Sequence, residues 1–338
     1  SYPLAVLFCV VTMLCWGSWA NTQKLAGKTW RFEMFYWDYV FGVMLMALLF
    51  AFTLGSIGKV GRSFFRDLRQ ADKRNLGSAF LGGMVFNAAN ILLVAAIAVA
   101  GMSVAFPVGI GLALVLGVLV NYWAEPKGDA IKLFVGVALI AAAIVVDAWA
   151  YGTLPGQSQG GGVVGLGLSV LCGLLMGFFY RFVAASMPEP KPENFVQMPA
   201  GKLSPYTAMV FFSMGIVASQ FLFNFANIIN ALTTVPFVTS DYFRTDFSVH
   251  FWGILGGMIW AVGMTFSIIA FGRAGPAISY GLGQGATMVA PTWGVFSCTA
   301  FRDAPPLATT LIWLMFAGYI LGLALIILAG MKKEEAPA

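Results

Sequence analysis

Apolar runs of about 20 residues follow one another along the whole of this chain, near residues 3–23, 34–55, 76–99, 102–123, 130–150, 162–185, 205–229, 251–272, 276–298 and 306–330. Each is long enough to cross roughly 30 Å of hydrocarbon as a helix. Lipid offers the backbone no hydrogen-bond partners, so a chain built this way folds as a bundle of membrane-spanning helices. Composition agrees: 59% of the 338 residues are hydrophobic, 10% are charged, and the mean hydropathy is +0.85. The fold class is therefore an all-α polytopic membrane protein with ten transmembrane helices. The first run, from Pro3 to Asn21, lacks a basic segment and a small-residue cleavage site, so it reads as a retained span rather than a signal peptide. Cys9, Cys15, Cys172 and Cys298 all lie within apolar runs and read as small core residues.

Lysine and arginine give the bundle a direction, because they collect in short cytoplasmic loops. With the N-terminus inside, fourteen of the 19 fall on inner segments, among them Lys59, Arg62, Arg66, Arg69, Lys73 and Arg74. Five fall outside: Lys24, Lys28, Arg31, Arg244 and Arg302. Both termini are then cytoplasmic, as in a multi-pass protein of the inner (plasma) membrane. The same bias accounts for the net charge of +5 without a nucleic-acid partner.

The segment LGGM at 81–84 recurs at 255–258, a spacing of 174 (255 less 81) that continues through Ala96/Ala270, Ala100/Ala274, Gly101/Gly275, Gly109/Gly283 and Gly111/Gly285. Five crossings separate the two copies, an odd number, so the repeat is inverted in the membrane. The reading that follows is a first five-helix repeat over 1–151, a glycine-rich link over 152–161, a second repeat over 162–331 and a cytoplasmic tail over 332–338.

Chemistry for catalysis is missing. His250 is the single histidine, no His/Cys/Asp/Glu group has metal-ligand spacing, and Gly281, Gly283 and Gly285 follow no strand that would make them a nucleotide loop. An enzyme is not expected, nor a cofactor or metal. The pairs Gly173/Gly177 and Gly318/Gly322 have the spacing of close helix contacts and could support a homodimer.

Polarity is costly inside a span, so its location is informative. Asn87 and Asn90 share a face of the third helix, roughly 16–21 Å deep at about 1.5 Å per residue, and Gln284 lies roughly 12 Å into the ninth by the same count. Such amides can simply bond helix to helix. Their company at similar depth, Trp16, Trp19 and Trp260, instead suggests a binding cavity, with Tyr280 beside it. Opposite Asn87 and Asn90 the second copy has Ala261 and Met264, so the glycine scaffold is duplicated and the polar groups are not. Asp38, in Tyr36-Trp37-Asp38-Tyr39, is a candidate proton-coupling carboxylate or an ion-pair partner of Lys24; Glu33 is a second candidate. Asp147 reads as reaching the interface from a helix end. Pro107, Gly109, Gly111, Gly281, Gly283, Gly285 and Pro291 weaken the fourth and ninth helices at matching places, as helix-bending residues do around transport sites.

Ten spans with cytoplasmic termini and an inverted five-helix duplication resemble the drug/metabolite transporter superfamily. The stretch Trp16-Gly17-Ser18-Trp19-Ala20-Asn21-Thr22-Gln23-Lys24 is similar to glucose/ribose uptake permeases and plant ureide permeases. Tyr36-Trp37-Asp38-Tyr39 resembles the ureide permease aromatic-x-Asp-Tyr element, and residues 82–111 resemble rhamnose–proton symporters, from which the chain departs in its histidines and ninth-helix polar residues. The resemblance implies a secondary carrier of small polar solutes with a proton or sodium as coupling ion. Monosaccharide uptake with protons is the first expectation, nucleobase or ureide transport the alternative, and a channel or non-transporting sensor the second alternative.

Overall fold

The fold comes from a computed structural model that describes residues 1–27, 30, 32–57, 62–154, 162–189, 198–225, 239–296 and 304–331. Its first half holds α1 (Tyr2–Ser18), α2 (Asn21–Ala26), α3 (Phe32–Phe52), α4 (Phe64–Gln70), α5 (Lys73–Ala100), α6 (Met102–Ala105), a π-helical turn (Phe106–Ile110), α7 (Gly111–Ala124) and α8 (Ala130–Gly152). The second holds α9 (Gly162–Ser186), α10 (Pro205–Phe225), α11 (Thr239–Arg244), α12 (Phe247–Ala274), α13 (Pro276–Gly283), α14 (Ala286–Phe296) and α15 (Pro306–Gly330). Among the described residues nine helices are long and apolar enough to cross a membrane. The protein is thus an all-α, multi-pass membrane protein.

The run expected as one ninth helix over 276–298 is two pieces, neither long enough to span alone. The break has a local cause: Gly285 N–H bonds Leu282 O and Met288 N–H bonds Gly285 O, three residues back instead of four. That tight turn, around Gln284, ends α13 and starts α14. The fourth run is also irregular. Pro107 has no N–H to give, and the chain widens into the π turn before α7 begins at Gly111. Adding 174 to Phe106–Ile110 gives Tyr280–Gln284, which ends at the break between α13 and α14, so the two interruptions lie at the spacing of the LGGM echo. The first run breaks too, at Trp19–Ala20 between α1 and α2.

Glycine governs how the long helices meet. A Cβ on Gly257 would overlap the Tyr39 carbonyl, and one on Gly42 the Ile254 carbonyl, so α12 and α3 cross backbone to backbone. A Cβ on Gly83 would overlap the Phe212 carbonyl, and one on Gly215 the Phe80 carbonyl, which joins α5 to α10 in the same way. These are the glycines of the LGGM segments, each answered by a glycine in a helix of the opposite half. Gly101 (φ 76°) and Gly275 (φ 86°) end α5 and α12 alike, donating to Ile97 O and Phe271 O. Closest packing elsewhere follows the same exchange: α5 on α9 matches α12 on α1, α7 on α9 matches α14 on α1, and α8 lies along α15. Gly173 and Gly177 meet Gly109 O, Leu112 and Leu116, while Gly318 and Gly322 meet Ala143, Ile140 and Gly136 O. Both pairs are therefore used inside the chain, which removes the expected ground for a homodimer through them.

At one end, buried Asp67 accepts from Arg62 Nε at 2.9 Å and from Ser204 N at 2.8 Å, while Arg62 also donates to Met198 O, Pro199 O and Lys202 O. This network fastens the segment before α5 to the start of α10. Asp129 caps α8 by accepting from Ile131 and Lys132 N–H, and the Lys132 backbone bond holds its carboxyl below the usual range.

Candidate functional site

A cavity of about 210 Å³ lies where α1, α5, α12 and the α13–α14 break converge. Trp16, Trp19, Phe86, Asn90, Trp260, Gln284 and Thr287 are among its walls. It exceeds the roughly 150 Å³ that admits benzene, and is small for a drug-sized molecule. Trp16 and Trp260 stack with ring centres 5.8 Å apart and planes 12° from parallel. Phe86, 174 residues before Trp260, meets it with ring centres 4.5 Å apart, so α5 and α12 contribute neighbouring rings. The Trp16 Nε1–H is buried and has no hydrogen-bond acceptor among the described residues. A buried donor without a partner costs about 1–3 kcal/mol unless a ligand or water satisfies it.

Asn90 is held by a relay. Its Nδ2 donates to Tyr36 Oη at 3.0 Å, and Tyr36 donates to Asn87 Oδ1 at 2.8 Å. Asn87 Nδ2 donates onward to Ser219 Oγ (3.0 Å) and Gln220 Oε1 (3.3 Å) on α10. An amide that spends one N–H in this way still has acceptor and donor capacity toward a ligand. Of the seven side chains read from the sequence as substrate-binding, Trp16, Trp19, Trp260, Asn90 and Gln284 line the cavity. Asn87 lies behind Asn90 in the relay. Tyr280 is fully buried outside the cavity, where its O–H has two carbonyls within reach, Ala113 O and Met176 O, each at 3.2 Å, and its ring packs on Gly117. Tyr36, Ser219 and Gln220 were not singled out from the sequence; the aromatic-x-Asp-Tyr element was the one signal near any of them.

Asp38 is 2% exposed and does not line the cavity. The partner offered by the sequence was Lys24; the structure gives it two donors on the far half, Tyr242 Oη and His250 Nδ1, the latter 3.0 Å from both carboxyl oxygens. His250 Nε2 faces the Tyr242 carbonyl at 3.0 Å. A carbonyl can only accept, so Nε2 carries hydrogen, and Asp38 and Nδ1 share one further proton between them. Trp30 covers the group, 5.9 Å from the Tyr242 ring and 5.1 Å from His250. Burial and the adjacent Asp38 push the Tyr242 phenol above its ordinary value. The Glu33 side chain lies outside the described residues.

The helix-bending candidates are not themselves among the lining residues, but several are chain neighbours of residues that are, Ile110, Gln284, Ala286 and Ala290. Pro107 and Gly109 lie in the π turn, Gly111 opens α7, Gly281 and Gly283 end α13, Gly285 sits in the break and Pro291 is inside α14. Gly283 abuts the Trp16 ring. Asp147, expected to reach the interface, is instead 7% exposed. A second, polar cavity of about 570 Å³ at the Arg62 end contains Arg181 paired with Glu125 at 2.8 Å. Among the described residues no group of three or more His, Cys, Asp or Glu could hold a metal.

Residues 35–153 match the family model Ureide permease. Over whole length the chain is 21% identical to ureide permease 1 of Arabidopsis thaliana, covering 98% of each protein. With ureide permease 2 of the same plant it is 20% identical, again covering 98% of each. Identity rises to 28% with ureide permease 4, over 41% of this chain and 36% of that one. A solved crystal structure shares the fold with a TM-score of 0.61 at 15% identity, covering 96% of this chain and 98% of the other. The relatives are permeases, membrane carriers of small solutes, and they give the monosaccharide expectation no support.

Proposed function

We propose that this protein is an alternating-access carrier of a small, flat, amide-rich metabolite of the ureide class. One observation carries the reading: Asn90 and Gln284 line the same 210 Å³ cavity as the stacked indoles of Trp16 and Trp260. A ureide presents ring N–H and C=O groups in one plane. Its faces can stack on tryptophan while its carbonyls accept from amide N–H groups. The names of the relatives favour this class over the sugars.

Ten crossings in two inverted repeats, with both termini cytoplasmic, complete the proposal. The α13–α14 pair serves as the broken ninth crossing, the membrane device that exposes backbone polar groups only toward a cavity. Support comes from the paired glycine contacts, which exchange one half for the other, and from the bias of lysine and arginine. Rocking of the halves about the cavity would open it to each side in turn. Asp38 and His250 then hold α11 and α12 against α3 on the outer side, and the inner membrane is the expected location.

Equilibrium binding to the purified protein, followed by thermal shift with allantoin, uracil, glucose and ribose, tests the substrate class. Stabilisation by allantoin, and not by either sugar, is the expected result; stabilisation by the sugars alone would sink the ureide reading. Exchange of labelled for unlabelled allantoin in liposomes separates a carrier from a sensor.

A further inference from the structure

Asp147 is a buried carboxylate that the proposed solute-binding geometry leaves unused. Its Oδ1 has no hydrogen-bond partner among the described residues. Helices α8 and α15 run antiparallel in close contact, with Gly318 against Ala143 and Gly322 against Ile140 and Gly136 O. Continuing that register one turn brings Asp147 level with about Met315. Helical side chains lean toward the N-terminus of their helix, so the Tyr319 ring points back toward this level.

From Tyr319 a short chain of hydrogen bonds enters the cavity. Its hydroxyl donates to Thr287 Oγ1 at 2.6 Å, and Thr287 donates to Gln284 O at 2.6 Å, within the break between α13 and α14. Thr287 and Gln284 both line the cavity. Tyr319 has a single O–H, and therefore one acceptor at a time.

We propose that Asp147 is the site at which this carrier takes up and releases a proton, and that Tyr319 and Thr287 transmit its state to the solute cavity. With Asp147 as the neutral acid, Tyr319 donates to Thr287 and the break is held as it stands. When the carboxyl O–H releases its proton to water, giving carboxylate and hydronium, the phenol gains a charged acceptor stronger than a neutral hydroxyl. Tyr319 turns to it, Thr287 is released, and the Gln284 turn loses its fastening. The environment selects a proton over a metal cation. On α15 the titratable residue is Tyr319, on α7 it is Tyr122 near the far end, and α6 and the π turn have none. On α8 itself Tyr151 lies one turn onward and Lys132 four turns back. A hard cation would need several more oxygens than one carboxylate and one phenol supply.

The inference rests on the carrier reading but can fail separately from it. Purified wild type, Asp147→Asn and Tyr319→Phe are first titrated between about pH 5 and 9 without solute, following tryptophan emission, since Trp16 packs on Gly283 beside the turn. A transition in the wild type that disappears in Asp147→Asn is expected; an unaltered transition in Asp147→Asn overturns the proposal. In liposomes under a gradient of about one pH unit, one proton per solute allows about tenfold accumulation of allantoin. The wild type should approach this, while Asp147→Asn and Tyr319→Phe should only equilibrate yet retain exchange. Accumulation by Asp147→Asn overturns the proposal, and if that variant fails to insert, accumulation by Tyr319→Phe does so. A wild type that exchanges no allantoin refutes the ureide reading, and the emission titration then decides the proton site alone.

Discussion

Trp16 packs on two sides: its ring stacks on Trp260, and its N–H lies against Gly263 of α12 with no acceptor among the described residues. Trp16→Ala removes the stacking face, which at about 0.5–1.5 kcal/mol amounts to roughly 2- to 12-fold in affinity. The melting temperature of the free protein should fall as well, with the lost packing on Trp260. Titration of allantoin against the purified variant gives the affinity and its melting temperature the stability; unchanged affinity would show that this ring is not a wall of the solute site. At this scale the sequence disclosed polarity but not partnership. Asn90, Gln284 and the tryptophans were legible because amides and indoles at mid-span depth are unusual and costly. Tyr36 and Gln220 were not, since their value depends on which helices touch Asn87. The Asp38–His250 contact joins residues 212 positions apart, with no local periodicity to announce it.

Helices in this protein are individually unremarkable in pattern, being apolar on every side, so their sequences reveal that they span and not which face meets which neighbour. Glycine spacing was the better guide. The LGGM echo proves to be a pair of crossings at which Gly83 and Gly257 lie directly on carbonyl oxygens of α10 and α3. Gly257→Val or Gly83→Val would force those helices apart and should reduce the amount of folded, monodisperse protein by at least several-fold. Gly77→Ala, where an added Cβ meets nothing within 4 Å, should leave it intact. Size-exclusion profiles of the detergent-extracted proteins give the comparison, and normal profiles for the valine variants would remove the close crossing from the account. The breaks were less legible. Pro107 and the glycine triplet signalled weakness in the fourth and ninth runs, yet one became a π turn and the other a gap, because the last glycine falls where three-residue bonding could take over.

Across the whole molecule, the tightest helix pairs join one half to the other: α5 to α9 and α10, α12 to α1 and α3, α8 to α15. Among the described residues neither half has a comparable set of contacts of its own. Order of synthesis then becomes a constraint on how the protein is made. When the ribosome has finished α8, the helices already in the bilayer still lack the partners their glycine faces were shaped for, and α5 waits for α9 and α10. The first half must persist as loosely associated helices, open to quality-control proteases, until the second arrives. A chain divided in the glycine-rich link should therefore be degraded when either piece is made alone and recovered when both are made together, as pulse-chase labelling would read. Stable accumulation of one piece alone would contradict it. The contacts between the halves thus join them in time as well as in space, making the end of translation the moment at which the first half becomes a structure.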